Sequence, residues 1–426
     1  MKSDLLIQRI AEKRYDSLFE DIYLNKDIID YQRKRYIEAI EKYQKNFGHN
    51  DVSIFSVPGR SEIGGNHTDH QNGKVLACAI NLDMIAVVSI SKSNYINIFS
   101  DSRKITGIKI DDLEMHKEDF HTSRGLVKGV LKGFDDDFYR VGGFNAYMTS
   151  DVPVGSGMSS SAVFEIMVAT IINGLYNRFE VDPITISKYC QYAENKYFGK
   201  PSGLMDQIAC CVGNLIGIDF EDTRKPKLRK INMNFDQCGY SLCIIDCKGS
   251  HASLTADYAA IPNEIKTVTE YFGKKSLREI SYQQLIDNLS DLRLKVNDRA
   301  ILRALHVITE NDRVDKEIDC LLNNDIEGFL KFVEESGNSS FKYLQNIYSI
   351  KECGNQPLAI ALFVSEQLLK GKGASRVHGG GFAGTIQAFV KNEFVSEYKC
   401  EIEKIFGLDS CKVLKIRKYG AMTAIK

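Results

Sequence analysis

The sequence predicts a chain of mixed helices and strands in two halves, on three observations. Apolar residues recur at helical spacing in some stretches and gather into short β-rich runs in others, interleaved along the chain. At 426 residues the chain suggests two or three domains. Hydrophobic residues make up 43% and charged residues 26%, so sizeable cores can form.

The elements follow in order. Residues 4–47 read as helix, because Tyr36, Ile37, Ile40 and Tyr43 repeat at helical intervals among many charged residues, until Gly48 stops the pattern. Residues 52–57 read as a strand, and 75–90, 95–99 and 105–110 continue as a β-rich region. Residues 126–134 are helical, and 143–148 form a short strand leading into a Gly/Ser loop. The stretch 162–176 is apolar on more than one face, as a well-buried helix is. Residues 183–198 make another helix, closed by Gly199 and Pro201, and 215–220 a strand. Later strands are expected at 241–246, 385–390 and 412–418, and helices around 258–272, 297–308, 326–335 and 357–369. There are only 7 prolines and no low-complexity linker, so the boundary is not sharp. It is placed near residue 225, giving domains 1–225 and 226–426.

Bulk properties exclude several classes. A net charge of −1 makes no electrostatic case for nucleic acid or an anionic membrane, so any anion binding must be local. The 11 cysteines lack CxxC spacing, and adjacent Cys210-Cys211 would make a strained disulfide. Free buried thiols in a reducing cytosol, hence a cytoplasmic protein, are expected. Histidines and cysteines form no metal-ligand constellation. Met1-Lys2-Ser3-Asp4 lacks the apolar core of a secretory signal, and Asn81 and Asp83 interrupt the most apolar stretch, so no membrane span is expected. Oligomeric state is not legible.

Three segments carry chemistry: Pro58-Gly59-Arg60 with Gly64-Gly65-Asn66-His67-Thr68-Asp69, the loop from Pro153 to Ala162, and Gly203-Leu204-Met205-Asp206-Gln207. In the loop, small residues let backbone N–H groups approach phosphate oxygens, and the following helix directs its partially positive N-terminus there. Serine hydroxyls add donors or a ligand for Mg²⁺. The loop is not a P-loop, since it has no Gly-Lys-Ser/Thr, and Ser160 stands where a dinucleotide fingerprint needs its third glycine. Alone it fits a Ser-capped helix after a flexible turn equally well. Together the segments supply a carboxylate base, an arginine to hold it ionised, polar groups for a polyol and a loop for phosphates. That inventory suits phosphoryl transfer from ATP to a small hydroxylated substrate.

Pro153-Val154-Gly155-Ser156-Gly157-Met158-Ser159-Ser160-Ser161-Ala162 resembles the second motif of the GHMP small-molecule kinases. The segment from Pro58 to Asp69 resembles the first motif as galactokinases carry it, and Gly379-Gly380-Gly381-Phe382-Ala383-Gly384 resembles the third. The resemblance implies an α+β fold, with an N-terminal domain like ribosomal S5 domain 2 and a ferredoxin-like C-terminal domain. It implies that ATP and a sugar meet in the cleft between them, with Mg²⁺, and that galactose and ATP give galactose 1-phosphate and ADP. Asp206 would be the catalytic carboxylate and Arg60 the arginine approaching it. Gly155, Ser156, Gly157, Ser159, Ser160 and Ser161 would hold phosphates, and Ser161 and Glu194 would bind Mg²⁺. Asn66, His67, Asp69, Gly203 and Tyr258 would contact the sugar. Outside this context Asp206 would read as a helix N-cap and Glu194 as a solvated helix face.

Galactokinases usually read Arg-Val-Asn-Leu-Ile-Gly-Glu-His-Thr-Asp-Tyr where this chain reads Arg60-Ser61-Glu62-Ile63-Gly64-Gly65-Asn66-His67-Thr68-Asp69-His70. Asn66 replaces the glutamate that meets the sugar's C6 end, and being neutral and shorter it is expected to broaden tolerance there. A kinase for a C6-modified sugar such as galacturonate is therefore an alternative. A non-catalytic sugar- and ATP-binding regulator is an alternative of another class, against which the retained Arg60, Ser161 and Asp206 argue. His378, before the triple glycine, reads as structural. The N-terminal 30 residues exceed the usual family start and carry no assigned function.

Overall fold

A computed structural model describes residues 1–101, 103–153, 158–200, 202–249 and 254–426. The single helix expected over 4–47 is three: α1 (Ser3–Ala11), α2 (Asp16–Tyr23) and α3 (Ile29–Phe47). Leu24, with φ 54°, closes α2, and the Asn25 side chain caps the short turn that follows. Then come β1 (Ser53–Gly64), β2 (Lys74–Ile90), β3 (Tyr95–Phe99), β4 (Lys104–Lys109), α4 (Ser123–Asp136) and β5 (Phe144–Ser150). They are followed by α5 (Ser160–Tyr176), α6 (Pro183–Tyr192), a π-helical turn (Ala193–Phe198), α7 (Met205–Val212), β6 (Leu215–Asp219) and β7 (Lys227–Ile231).

The remaining elements are β8 (Tyr240–Asp246), α8 (Thr255–Tyr271), α9 (Tyr282–Asp287), α10 (Leu289–Lys295), α11 (Asp298–Leu322), α12 (Ile326–Ser339) and α13 (Pro357–Leu368). The chain ends with β9 (Gly373–His378), β10 (Thr385–Lys391), α14 (Val395–Phe406), β11 (Cys411–Leu414) and β12 (Met422–Ile425). The strand expected over 412–418 stops at Leu414, and α11 runs fourteen residues past the expected helix end at 308.

The first sheet has the order β12-β1-β2-β5-β3-β4, with β6 pairing β2 and β7 pairing β6. β2 is long enough to serve two neighbours: residues 84–90 pair with β5 and 74–78 with β6. Residue 225 lies in the connection between β6 and β7, which are hydrogen-bonded neighbours. Alternation along the strands gives the sheet two apolar faces. Phe55, Val57, Ala86 and Val88 pack with α5, whereas Ile54, Ile85 and Val87 pack with Phe19, Tyr23, Tyr36 and Ile40 of the N-terminal helices. The first half is thus a three-layer stack, and the N-terminal residues form one layer. Asp83 pins that layer from within β2. Its buried carboxylate accepts from Arg35 at 2.7 Å, Tyr23 at 3.0 Å and Arg417 at 3.2 Å. Burial alone would raise its pKa, but the two arginines outweigh that and hold it below the usual carboxylate range.

The second sheet, entirely antiparallel, has the order β11-β8-β10-β9. With helices between β8 and β9 and α14 between β10 and β11, this is the ferredoxin-like arrangement. α13 and α14 cover one face through Leu358, Ala361, Tyr398 and Ile402. α11, capped by Asn297 through the Ala300 N–H at 2.9 Å, lies against α8, α12 and the β1–β2 region.

Candidate functional site

β1 changes register with β2 between Pro58 and Arg60, and the bend carries Arg60 inward. Its Nε donates to Asp206 Oδ1 at 2.7 Å. Asp206 occupies the first turn of α7, where the helix dipole favours negative charge. The Ser159 hydroxyl donates to Asp206 Oδ2, so the base of α5, β1 and α7 meet at one carboxylate. Ser159 adopts φ 60° at the entry to α5. Burial works to raise the Asp206 pKa, but the Arg60 charge and the hydrogen bonds from Arg60 and Ser159 hold it below its usual value. Asp206 is the open member of the pair, with 29% of its side chain exposed against 7% for Arg60.

One residue further on, Gln207 donates through Nε2 to Glu194 Oε2 at 3.1 Å. Glu194 sits in the π-helical turn, and its Oε1 accepts from Ser161 Oγ at 3.1 Å and from Lys200 Nζ at 2.7 Å. Lys200 escaped the sequence reading. Six residues separate it from both Glu194 and Asp206, and its ammonium lies close enough to both carboxylates to feel their charge. Glu165, one turn beyond Ser161 on α5, was also missed; burial and then the Glu194 charge push its carboxyl well above the usual range. A hydroxyl and a buried carboxylate already holding a cationic group are hard oxygen donors of the kind that would hold Mg²⁺. Among the described residues no group of three or more His, Cys, Asp and Glu could hold a metal ion.

The sugar-contact candidates fall into two places. Asp69 faces Gly203 so closely that a Cβ at 203 would overlap the Asp69 carboxylate. Its other oxygen accepts the His70 N–H at 2.9 Å. A cavity of about 270 Å³ opens beside them, bounded also by Lys188, Gln191 and Arg224. His67, with φ 60°, donates from Nε2 to Gly380 O at 3.0 Å, and Tyr258 OH donates to Gly381 O at 2.7 Å. A Cβ at Gly380 would press on the Tyr258 ring, so the glycine turn is cut to fit that ring. Burial, with the neighbouring His70 adding to it, lowers the His67 pKa to about 3, so the imidazole is neutral.

Asn66 is held by protein on every side. It is fully buried, and its amide makes four protein hydrogen bonds. Nδ2 donates to Glu62 Oε1 at 3.0 Å and Gly379 O at 2.6 Å; Oδ1 accepts from Asn346 at 2.8 Å and Ser340 at 3.4 Å. Both amide atoms thus carry two protein partners each, the usual capacity of a side-chain amide. His378 is buried between Ser61 Oγ at 3.1 Å and Thr385 Oγ1 at 2.9 Å. Ser160 opens α5, partly exposed, while Gly155, Ser156 and Gly157 lie outside the described residues.

Residues 41–90 match the galactokinase galactose-binding signature, and residues 125–214 match the GHMP kinases N terminal domain. Over 364 residues the chain is 30% identical to a galactokinase of Glaesserella parasuis serovar 5, covering 83% of this chain and 89% of that one. A galactokinase of Clostridium tetani is 28% identical, over 87% of this chain and 92% of its own. Among solved structures, Lactococcus lactis galactokinase complexed with galactose superposes with a TM-score of 0.78 at 21% identity, covering 90% of this chain and 98% of that chain. The fold is that of the GHMP kinases. The chain belongs to the galactokinase family.

Proposed function

We propose that this chain is a sugar 1-kinase that transfers the γ-phosphoryl group of ATP to the anomeric hydroxyl of galactose. Asp206, in contact with Arg60 and with Ser159 at the foot of the phosphate loop, is the observation that carries the reading. Asp206 accepts the O1–H proton as the O1–P bond forms and the bond from the γ-phosphorus to its bridging oxygen breaks, leaving the electron pair on ADP. Arg60 keeps the carboxylate ionised and offsets charge on the transferring group. Asp69 and Gly203 frame the hydroxylated face of the sugar, and His67 and Tyr258 brace its other wall through the glycine turn. The loop carrying Gly155, Ser156, Gly157, Ser159, Ser160 and Ser161 receives the phosphates. Ser161 and Glu194 would hold Mg²⁺, which supplies positive charge against the phosphate oxygens. A division near residue 225 leaves Tyr258 and the glycine turn at 379–381 as the second part's contribution.

No described helix is long and apolar enough to cross a membrane. The cysteines are all free thiols, which supports a cytoplasmic setting. The test is ADP release over a panel of hexoses and hexose derivatives. Turnover with galactose that requires both ATP and Mg²⁺ is expected; galactose binding without turnover on any sugar would refute catalysis and leave a sensor.

A further inference from the structure

Asn66 is satisfied entirely by protein, yet it sits immediately before His67 and three residues before Asp69. Its four partners come from four places: Glu62 on β1, Gly379 of the glycine turn, Asn346, and Ser340 just after α12. Its main chain is held as firmly. His306 of α11 donates to Asn66 O at 3.1 Å, and the N–H groups of Gly65 and Asn66 both reach Glu310 Oε1 at 3.3 Å. Glu62 is the second hub. Its Oε1 accepts from Asn66 and also from Arg376 Nη2 at 2.5 Å, and Arg376 in turn donates to Ile63 O at 3.2 Å. Glu62, Asn66 and Arg376 are all buried.

The sequence holds a matching exchange. Where galactokinases usually carry Asn two residues after the arginine and Glu six residues after it, this chain carries Glu62 and Asn66. The acid and the amide have traded places, and in the fold they are bonded to each other. We infer that Glu62 and Asn66 act as one exchanged acid–amide pair, a positioning unit that fixes the His67–Asp69 loop against the glycine turn, and that residue 66 does not select the sugar. A carboxylate at 66 would add a third acid to a cluster in which Arg376 already pairs with Glu62 and lies 3.8 Å from Glu310, and would face the Gly379 carbonyl with an acceptor instead of a donor. An amide at 62 alone would leave Arg376 buried without its short ionic partner.

The inference rests on the galactose-kinase reading. Turnover by the unaltered protein tests that reading, and coupling between two substitutions tests this one. The substitutions are Asn66→Asp, Glu62→Gln and the pair together, all nearly isosteric, so that the double variant returns an acid–amide bond with its direction reversed. Asn66→Asp is expected to raise galactose KM about tenfold while ATP KM stays within about twofold. Adding Glu62→Gln should recover about fivefold of that loss, a coupling typical of groups in direct contact. The kcat/KM ratios among galactose, galacturonate and fucose should stay the same in every variant. If Asn66→Asp does not fold, Glu62→Gln alone is read by the same KM split. Effects that simply multiply in the double variant, an unchanged galactose KM in the readable single variants, or sugar ratios that shift by about tenfold would each overturn the inference.

Discussion

Replacing Asp206 by Asn removes a charge with little change of shape. Asn can still accept from Arg60 Nε, which now stands 2.7 Å from the carboxylate, and Ser159 can turn its hydroxyl to accept instead of donate. What disappears is the proton acceptor of the proposed reaction. Loss of a general base costs about 10²–10⁴ in rate, or about 3–5 kcal/mol of barrier. Stability should fall less than the roughly 3–5 kcal/mol of a fully buried broken pair, because 29% of the Asp206 side chain is exposed; about 1–2 kcal/mol is expected. The carboxyl titrates below its usual range in the folded protein. Its contribution is therefore complete above the unfolded value near 3.8 and is lost only as pH falls through the lower folded value. Any acid limb of kcat/KM between about pH 5 and 7 must then belong to another group. ADP release gives kcat, and calorimetry gives ATP affinity, which should be unchanged. A variant with kcat within about tenfold of the unaltered protein would remove Asp206 from the chemistry.

Ser161→Ala and Glu194→Gln each delete one hard oxygen donor and should raise the Mg²⁺ concentration needed for half-maximal rate about tenfold at saturating sugar; an unchanged Mg²⁺ titration in both would dissolve that assignment. Gly203→Ala drives a methyl group into the Asp69 carboxylate, so galactose KM should rise about tenfold with ATP KM steady, and equal galactose KM would show that Asp69 does not meet the sugar. Burial lowers the His378 pKa well below its usual value, so the unfolded chain takes up a proton near pH 6.5 that the folded protein refuses. Stability from this residue is therefore lost as pH falls below about 6.5, at up to roughly 1.4 kcal/mol per pH unit. Denaturant unfolding of His378→Gln should show a shallower fall than the unaltered protein over pH 7.5 to 5.5, and parallel curves would contradict it.

The chemistry of the site was more legible in the sequence than its support. Arg60, Asp206 and Ser161 stand in compact motifs, and a motif of consecutive residues survives translation into space, whereas Glu194 stands outside them and meets Ser161 only in the fold. Lys200 carries no pattern of its own and becomes visible only when the chain folds its ammonium onto Glu194. The expected end of α11 near 308 falls short because its later turns bury Glu310, Asn311 and Glu317 against residues 64–74, which breaks the apolar rhythm that marks a helix. β7 was missed for a related reason: Lys227-Leu228-Arg229-Lys230-Ile231 is mostly exposed and pairs only along one edge. Asn66 shows the sharper limit. Its type suggested a neutral sugar contact, but its partners lie up to 313 residues away, and no local pattern announces them.

β12 adds its few residues to the sheet beside β1, with Ile54 opposite Ile425 and Ser56 opposite Met422. Arg417, from the same terminal stretch, completes the buried cluster on Asp83 and reaches the Ser56 hydroxyl at 2.8 Å. During synthesis, β1 and the Arg60 it carries emerge from the ribosome more than three hundred and fifty residues before the segment that covers their flank. Until residues 417–425 appear, the nascent chain holds an open strand and a half-neutralised Asp83. Residues 417–425 therefore act as a latch on the first part of the protein, and a ribosome that stalls or terminates before them leaves an incomplete first sheet, whatever the state of the rest.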